Sequence, residues 1–456
     1  MTTVCKTLQR VLFRCWVLAL AVHFGCVSYR PVPLAQLDFY DRLQTASDGE
    51  ITVAAAVLGP EETRRALGVD LYARGIQPVY VKIDNQSSST FIFFERCVDP
   101  HYFSPLEAAY QAHISVMGPF YQYGLGSAVM WPLLPFVPIR AITAARANGQ
   151  MDEYFDDAGI GNESLSPGEQ LDGFIFTHID PGTKKIPVTL YGAEEKRTFT
   201  LLVKVPETLV DRDLVEFEAA YAEADYIRHD WGSLYERLRN MPCCTTNEAG
   251  TADGDPLNLV LVGSLKSILE AFTLAGWDET EPLSFATAWR TARCFIKGES
   301  YRTSPVSNLY LFHRRQDLAL QKARETVHAR NHLRLWQMPW LVEERRVWVG
   351  QVSRDIGVRP TIKTWNLTTH KIDPDIDDAR DTVLGDLVAT GRVSAVGFVK
   401  GAAERTPEAP GRNLTGDPYY TDGERLLMCI EGEETPLHLI DWRQRKGKLS
   451  KGDGVK

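Results

Sequence analysis

Closely spaced charged side chains within short apolar strands mark the stretch from Arg330 to Asp381. A charge drawn away from water needs a partner, so a purely structural domain rarely concentrates many of them. Side chains alternate between the two faces of a β-strand. The segment His332-Leu-Arg-Leu-Trp336 therefore predicts a sheet with His332, Arg334 and Trp336 on one face and two leucines on the other.

A hairpin that turns at residues 343–346 would bring Asp355 close to His332. His370 and Asp373 lie on the next loop and could complete a pocket. Imidazole and carboxylate groups suit a divalent metal that activates water, or a His/Asp acid–base pair without a metal. Guanidinium groups bind oxyanions through two parallel hydrogen bonds. The candidates for catalysis or metal binding are His332, Asp355, His370 and Asp373, and those for ligand binding are Arg330, Arg334, Arg354 and Trp336.

A structural interpretation of the same residues stays open. Aspartates at the start of a helix cap its amides and interact favourably with its dipole without any catalysis. The aspartates at 375, 377, 378 and 381 have this placement, since a helix is predicted from Asp377 to a stop at Gly391. The arginines would then form a structural ion network, and His332 would be an ordinary histidine on a sheet face.

Chain length and net charge limit the number of domains and the kinds of partner that the protein can have. A chain of 456 residues is too long for one compact core and favours two or three domains. The net charge of -9, from 50 basic and 59 acidic residues, lacks the basic surface that nucleic-acid binding requires. We therefore exclude nucleic acid as a partner.

Residues 1–26 have the pattern of a secretory signal. Three basic residues precede an apolar run that has the length of a signal core and is too short to span a bilayer. The run ends in Gly25-Cys26, which resembles the lipidation site of bacterial lipoproteins, and Val27 favours the outer membrane. We expect a lipid on Cys26; an uncleaved anchor or a soluble export signal are the alternatives.

Residues 27–206 are predicted to form a β-sandwich-like domain, because short alternating strands are separated by turn residues. A short helix should begin at Pro60 and end at Gly68. The stretch 114–139 has no charged residue before Arg140 but is interrupted by glycine and proline. It is either an apolar insertion packed under the sandwich or a hairpin that touches a membrane. The predicted strands are 51–58, 78–84, 90–95, 173–178, 185–191 and 199–205.

Residues 207–256 are predicted to be a helical connector followed by a linker. A helix or helical pair is expected over 208–240, with Leu214, Phe217 and Tyr221 on one face. The turn-rich stretch 241–256 is the expected domain boundary. It contains Cys243-Cys244, which we expect to be two thiols, with a strained ring between them as the alternative. Export permits disulfides but does not assign pairs among Cys97, Cys243, Cys244, Cys294 and Cys429.

Residues 257–435 are predicted to be a second, α+β domain with a mixed sheet, because strands outnumber helices and hairpins outnumber crossovers. A helix should begin after Ser264 and end at Gly276. A further helix is expected over about 283–297, and a strand over 307–312. Residues 436–456 form a basic tail.

Several motifs in this second half resemble the LssY carboxy-terminal domain family over about residues 240–435. They are Pro242-Cys-Cys-Thr-Thr, the segment 254–263, Gly276-Trp277, Pro305-Val-Ser307, the segment 330–336, Trp348-Val-Gly350, Arg354-Asp355, the segment 369–377 and Arg380-Asp381.

The resemblance implies a bacterial envelope protein but carries no established activity. Larger relatives join such a domain to a membrane-embedded lipid-phosphatase-like region and a DedA-like region, and neither is recognisable in this sequence. Asn331 and Lys371 stand where many relatives have a second histidine, which weakens the case for a four-ligand metal cage.

Two functions are consistent with these features. The first is an exported, lipid-anchored envelope protein at the periplasmic face, which binds an envelope protein or a lipid-like ligand. The second is a metal-dependent hydrolase that acts on a phosphate or acyl ester. No cofactor is certain, and a divalent metal belongs only to the second.

Overall fold

The computed structural model of the chain describes seven stretches of it. They are residues 28–116, 137–217, 220–282, 305–323, 330–360, 368–401 and 404–440, with the backbone alone described at 358–360 and 368–370. The signal segment with Cys26, the greater part of the apolar insertion, the helix expected over 283–297 and most of the basic tail lie outside these residues.

The described residues divide into two compact units at Thr208. Unit 1 ends with Lys184–Thr208, and unit 2 comprises Pro181–Thr183 and the residues from Leu209 onward. The turn-rich stretch 241–256, which we expected at the boundary, instead lies inside unit 2, where it contributes two strands.

Unit 1 is a sandwich of two four-stranded sheets with helices on one side, as its alternating strands predict. One sheet has the order β1-β2-β3-β6 and the other β5-β4-β7-β8. Its strands are β1 (Gln44–Ser47), β2 (Ile51–Val57), β3 (Ile76–Asn85), β4 (Phe91–Phe93), β5 (Glu163–Leu165), β6 (Gln170–His178), β7 (Thr183–Tyr191) and β8 (Lys196–Lys204). Its helices are α1 (Pro60–Leu67), α2 (Pro105–Ala112) and α3 (Val137–Ala158), with 3-10 turns at Leu34–Gln36, Asp38–Arg42, Tyr72–Arg74 and Glu95–Cys97.

Two apolar layers hold unit 1 together. Alternate residues of β2 and β3, such as Val53 and Val81, pack against Phe91, Phe93 and the strands of the second sheet. The opposite face of the first sheet packs against α2 and α3 through buried alanines and aromatic rings. The predicted end of α1 is confirmed, because Gly68 has a left-handed φ of 69° that a glycine adopts without steric cost.

Unit 2 is a mixed sheet with helices, which confirms the predicted α+β class. Its main sheet has the order β13-β16-β17-β18-β12-β23-β20-β24, with β19 paired to β18 and β9 to β17, and the smaller sheets are β11-β10-β14-β15 and β21-β22. The first strands are β9 (Ile227–His229), β10 (Cys244–Thr246), β11 (Asp253–Pro256), β12 (Leu259–Val262), β13 (Asp278–Glu279), β14 (Tyr310–Leu311), β15 (Arg314–Arg315) and β16 (Leu318–Ala323). The remaining strands are β17 (Arg330–Val342), β18 (Arg345–Pro360), β19 (Thr368–Ile372), β20 (Val393–Lys400), β21 (Gly411–Arg412), β22 (Pro418–Tyr419), β23 (Glu424–Ile430) and β24 (His438–Leu439).

Three helices belong to unit 2: α4 (Trp231–Arg239), α5 (Leu265–Leu274) and α6 (Ile376–Val388). Ser264 caps α5, as predicted, by accepting a hydrogen bond from the Ser267 amide at 3.0 Å. The helix expected over 208–240 exists only as α4. The preceding described residues form 3-10 turns at Asp211–Leu214 and Glu223–Asp225 and the strand β9, so that part of the prediction is wrong. The strand expected over 307–312 is confined to β14.

The hairpin of β17 and β18 confirms the predicted turn and separates two chemically different faces. Leu333 and Leu335 lie on the face that packs against α5 and α6. Trp336 lies on the opposite face, in a cluster with Leu234 and Leu238 of α4. The polar residues near the start of β17 occupy this second face, and the register of the hairpin decides which of them meet.

Candidate functional site

Seven polar side chains share one face of the three adjacent strands β16, β17 and β18. Residues directly opposite each other in antiparallel strands point to the same face. Between β16 and β17, the register places Gln321 opposite His332. Between β17 and β18, it places His332 opposite Ser353, Arg330 opposite Asp355 and Arg334 opposite Gln351. This polar face is buried, with none of its members more than 7% exposed: Gln321, Arg330, His332, Arg334, Gln351, Ser353 and Asp355.

Asp355 joins two of the predicted residues. Its Oδ2 lies 3.2 Å from Nε of Arg330 and 3.4 Å from Nδ1 of His332. Arg330 also donates to Oε1 of Gln321 at 2.7 Å. The predicted approach of Asp355 to His332 is therefore confirmed, and the carboxylate stands between a guanidinium and an imidazole.

Arg334 is the second guanidinium of the polar face. Its Nε donates to the Ser307 carbonyl and its Nη1 to Oε1 of Gln351, both at 2.9 Å. Burial lowers the pKa of Arg334 to about 10, against the opposing effect of the Asp255 and Asp355 charges. The charge of Asp255 in β11 thus influences the polar face, although Asp255 does not belong to it. Its Oδ1 accepts a hydrogen bond from Asn413 at 3.0 Å. Burial raises the pKa of Asp255, which the positive charge of Arg334 opposes.

Two side chains of the polar face have hydrogen-bonding capacity that the described residues do not use. Ser353 and Gln351 are both fully buried. Within the stretches that the structure describes, Oγ of Ser353 and Nε2 of Gln351 have no hydrogen-bond partner. An unsatisfied buried polar atom costs about 1–3 kcal/mol, so such atoms in a folded protein call for an explanation.

Two predicted ligand-binding residues lie elsewhere. Arg354 points to the opposite face, where it forms an ion pair with Asp378 and donates to Oγ1 of Thr382 at 2.8 Å. Trp336 is on the same face as His332 but within the apolar core, and its Nε1 donates to the Arg314 carbonyl at 3.0 Å. Neither one borders the cluster around Asp355.

The other two predicted metal ligands do not join His332 and Asp355 among the described side chains. Asp373 donates its amide to the Arg354 carbonyl, and its Oδ1 accepts the Asp375 amide at 3.1 Å. The backbone of His370 lies opposite Val358 in β19, and its side chain is outside the described part of the structure. No group of three or more histidine, cysteine or carboxylate side chains that could hold a metal occurs in the described ranges.

The structural interpretation applies to the aspartates around α6. Oδ1 of Asp375 accepts the Asp377 amide at 3.2 Å and caps the helix. Arg380 forms ion pairs with Asp377, Asp381 and Asp422. These residues anchor the start of the helix to the loop before β23, and they contribute nothing to the polar face.

Cys243 and Cys244 form a disulfide with a Cα–Cα distance of 3.7 Å, so the expectation of two thiols is wrong. Cys244 is buried, and its backbone begins β10 opposite Pro256 of β11. Of the other cysteines in the described stretches, Cys97 and Cys429 form no disulfide. Cys294 lies outside those stretches.

Sequence reasoning missed Gln321, Gln351, Ser353 and Asp255. The predicted hairpin contained a usable signal for two of them, since Gln351 and Ser353 alternate with Val352 in the same way that Arg334 and His332 alternate with Leu333. Gln321 gave no such signal because β16 was not predicted. Asp255 was assigned to a linker.

A separate open cavity of about 840 Å³ lies at the other end of the hairpin. It is bordered by the first turn of α5, the hairpin tip and Phe217, and Leu265, Lys266 and Arg346 contribute to its wall. None of the predicted site residues lines it. Arg345 beside it already pairs with Glu343 and Glu431, so its charge is not available to a ligand, and the polar face remains the better candidate site.

Unit 2 is thus a mixed-sheet α+β domain with a buried polar cluster on one sheet face. Residues 236–424 match the model of the family described as LssY C-terminus, which confirms the resemblance of the second half of the chain to that family. The match covers less than half of the chain. No curated protein matches it.

Proposed function

We propose that the chain is an exported, lipid-anchored envelope protein whose LssY C-terminal domain binds a small anionic ligand at the polar face of β16, β17 and β18. Residues 1–26 support the export and the anchor through their signal pattern and Cys26. The observation that carries ligand binding is the buried capacity of Ser353 and Gln351, which a ligand oxygen would satisfy.

Charge favours an anion over a cation. The polar face contains two guanidinium groups and one carboxylate, and burial shifts its neighbour Asp255 towards the neutral form by raising its pKa. A carboxylate or phosphate group would complete the charge balance of Arg334, whose planar fork suits two oxygens at once. A metal cation would find fewer opposite charges there.

Entry of the ligand requires a local opening, because His332 is the most exposed member of the face and is only 7% exposed. Local openings with free energies well below that of global unfolding are ordinary in folded domains. Closure over the ligand would then exclude water and strengthen its ion pairs.

The test titrates phosphate, sulfate and citrate into the full chain and follows its thermal unfolding. A ligand that binds only the folded chain at a hundred times its Kd stabilises it by about 2.7 kcal/mol. We expect an increase in Tm for the unsubstituted chain and for Arg354→Gln, whose side chain lies on the other face, and none for Arg334→Gln or the milder Ser353→Ala. Equal shifts in all four proteins, or no shift in any, would reject the anion site.

The anchor has a separate test. Labelled palmitate should be incorporated by the exported chain and lost in Cys26→Ala. Undiminished labelling of the variant would show that Cys26 does not carry the lipid.

A metal-dependent hydrolase acting on a phosphate or acyl ester is the second candidate, because the 3.4 Å approach of His332 to Asp355 provides an acid–base pair. Metal analysis of the purified chain distinguishes the candidates. Stoichiometric metal that is lost in His332→Ala and in His370→Ala, together with hydrolysis of a nitrophenyl phosphate or acetate, would favour the hydrolase. A chain that takes up no added metal would leave ligand binding.

A further inference from the structure

The outer faces of α2 and α3 in unit 1 expose large apolar side chains. On α2, Leu106 is 51% exposed and Tyr110 is 73% exposed. On α3, Ile139 is 46% and Ile142 is 64% exposed. The members of each pair are four or three positions apart, so each pair lies on one side of its helix.

The inner faces of the same helices already form the core. Ala108 and Ala109 of α2 and Met151 and Phe155 of α3 are fully buried. The ring of Phe155 stacks on that of Phe176 in β6 at 5.2 Å between centroids. The exposed apolar side chains therefore point away from the sheet that both helices cover, and hydrophobic packing among the described residues of unit 1 does not account for them.

Charge is unevenly distributed along these two helices. From Ala108 to Met151 the sequence contains no acidic residue, and Arg140 and Arg146 are its only acidic or strongly basic side chains. Acidic residues return at Asp152, Glu153, Asp156 and Asp157, in the last part of α3. The first half of α3 is thus apolar and basic, whereas its second half is acidic.

We infer that this face, made of Leu106, Tyr110, Ile139 and Ile142 with Arg146, rests on the surface of a bilayer that contains anionic lipids. Apolar and aromatic side chains enter the headgroup boundary, and arginines interact with lipid phosphates. An anionic membrane surface repels acidic side chains, which accounts for their absence from Ala108 to Met151. A soluble protein partner would not require that absence.

The chain that connects the two helices supports the same occupant. Residues 117–136 are uncharged and include Trp131 and several other aromatic residues, a composition typical of the membrane interface. The inference deepens the proposed envelope location, because a protein anchored through Cys26 would have this face available to the same membrane.

The test places an environment-sensitive fluorescent amino acid at Tyr110 in the full chain and adds vesicles of phosphatidylethanolamine and phosphatidylglycerol. A matched control carries it at Tyr191, an exposed tyrosine of β7 that is 40% exposed. We expect a blue shift and quenching by brominated lipid at position 110 only. Equal responses at the two positions, or no response at position 110, would overturn the inference.

Charge variants give an independent measurement of the same surface. In a chain with Cys26→Ala, Ile142→Glu should weaken vesicle binding by roughly tenfold, because it removes one apolar side chain that the bilayer would bury and adds an anion. Ile92→Glu, at a position that is 44% exposed on β4, should leave binding unchanged. Equal binding of both variants would contradict the inference.

The anchor and the surface can fail separately. Palmitate labelling at Cys26 without lipid quenching at position 110 would retain the anchor and reject the surface. Quenching without labelling would reject the anchor and retain the surface.

Discussion

Arg425, the second residue of β23, should be one of the most important single side chains for the stability of unit 2. It is fully buried. Its Nε donates to the Leu257 carbonyl at 2.9 Å, and Nη2 donates to the carbonyls of Pro242 at 2.6 Å and Gly401 at 3.1 Å. Its Nη1 donates to the carbonyl of Leu238, in the last turn of α4. One guanidinium thus holds four carbonyls from three stretches of the chain, and burial lowers its pKa to about 10.

The size of the effect follows from these contacts. Hydrogen bonds to a charged group contribute about 1.5–3 kcal/mol each, but removing the guanidinium also removes its own desolvation cost. Each buried carbonyl left without a donor costs about 1–3 kcal/mol, and the loss of several such bonds, less that offset, comes to about 3–5 kcal/mol. We expect Arg425→Met to lower the free energy of unfolding by that amount. Arg425→Lys should lower it by about 2 kcal/mol, because one ammonium group cannot reach all four carbonyls.

Urea unfolding followed by tryptophan fluorescence measures this change, since all tryptophans except Trp16 and Trp131 lie after Thr208. Arg239→Met is the matched control. The Arg239 side chain is 58% exposed, and its ion pair is long, with Nη1 3.9 Å from Oε2 of Glu236. This substitution should change stability by no more than about 0.5 kcal/mol. If Arg425→Met unfolds at the same urea concentration as this control, the four carbonyl contacts do not stabilise the domain and the reasoning is refuted.

Three further predictions concern other sites. Burial raises the pKa of Glu95 from 4.5 to about 7, and Glu95 is 4% exposed. Its carboxyl group therefore stays protonated in the folded chain after the unfolded chain has released its proton. Stability should fall by up to about 3 kcal/mol as pH rises from about 4.5 through 7, and Glu95→Gln should flatten this dependence in urea unfolding at several pH values. Ser264→Ala should cost about 1 kcal/mol in thermal unfolding through loss of the cap of α5, and an unchanged Tm would show that the cap is dispensable. Asp355→Asn leaves the buried Arg330 without its counter-ion and should cost about 3–5 kcal/mol, measured by urea unfolding, whereas a gain in stability would mean that the ion pair opposes folding.

Alternation in the sequence predicted the part of the site that lies within one hairpin. His332, Arg334 and Asp355 are placed by strand periodicity and by the position of one turn, which are local properties. Gln321 was missed because β16 was not predicted as a strand, although it pairs with β17, the next strand along the chain. Asp255 acts on the polar face from β11, which belongs to a different sheet, and no local pattern reveals that approach. Arg425 was missed because its partners lie in three separate stretches of the chain.

The incorrect helix over 208–230 has a specific cause. Leu214, Phe217 and Tyr221 are spaced as on one helical face, but Leu214 is 52% exposed and the Phe217 ring packs on Trp348 at 5.8 Å. Phe217 and Tyr221 are placed by contacts with the distant strands β18 and β17, and Leu214 is largely exposed, so the helical spacing of these residues did not report local structure.

The hairpin of β17 and β18 makes unit 2 intolerant of small changes in chain length. Deleting a single residue between Arg330 and Trp336 would invert the orientation of part of a strand. Side chains alternate between the two faces with a period of two, so a shift of one residue moves every side chain to the opposite face. Guanidinium and imidazole groups would then face the leucine-rich packing beneath α5 and α6, while leucines would face Asp355 and Gln351. Substitutions there change one contact at a time, whereas a one-codon deletion would exchange the chemistry of both surfaces at once.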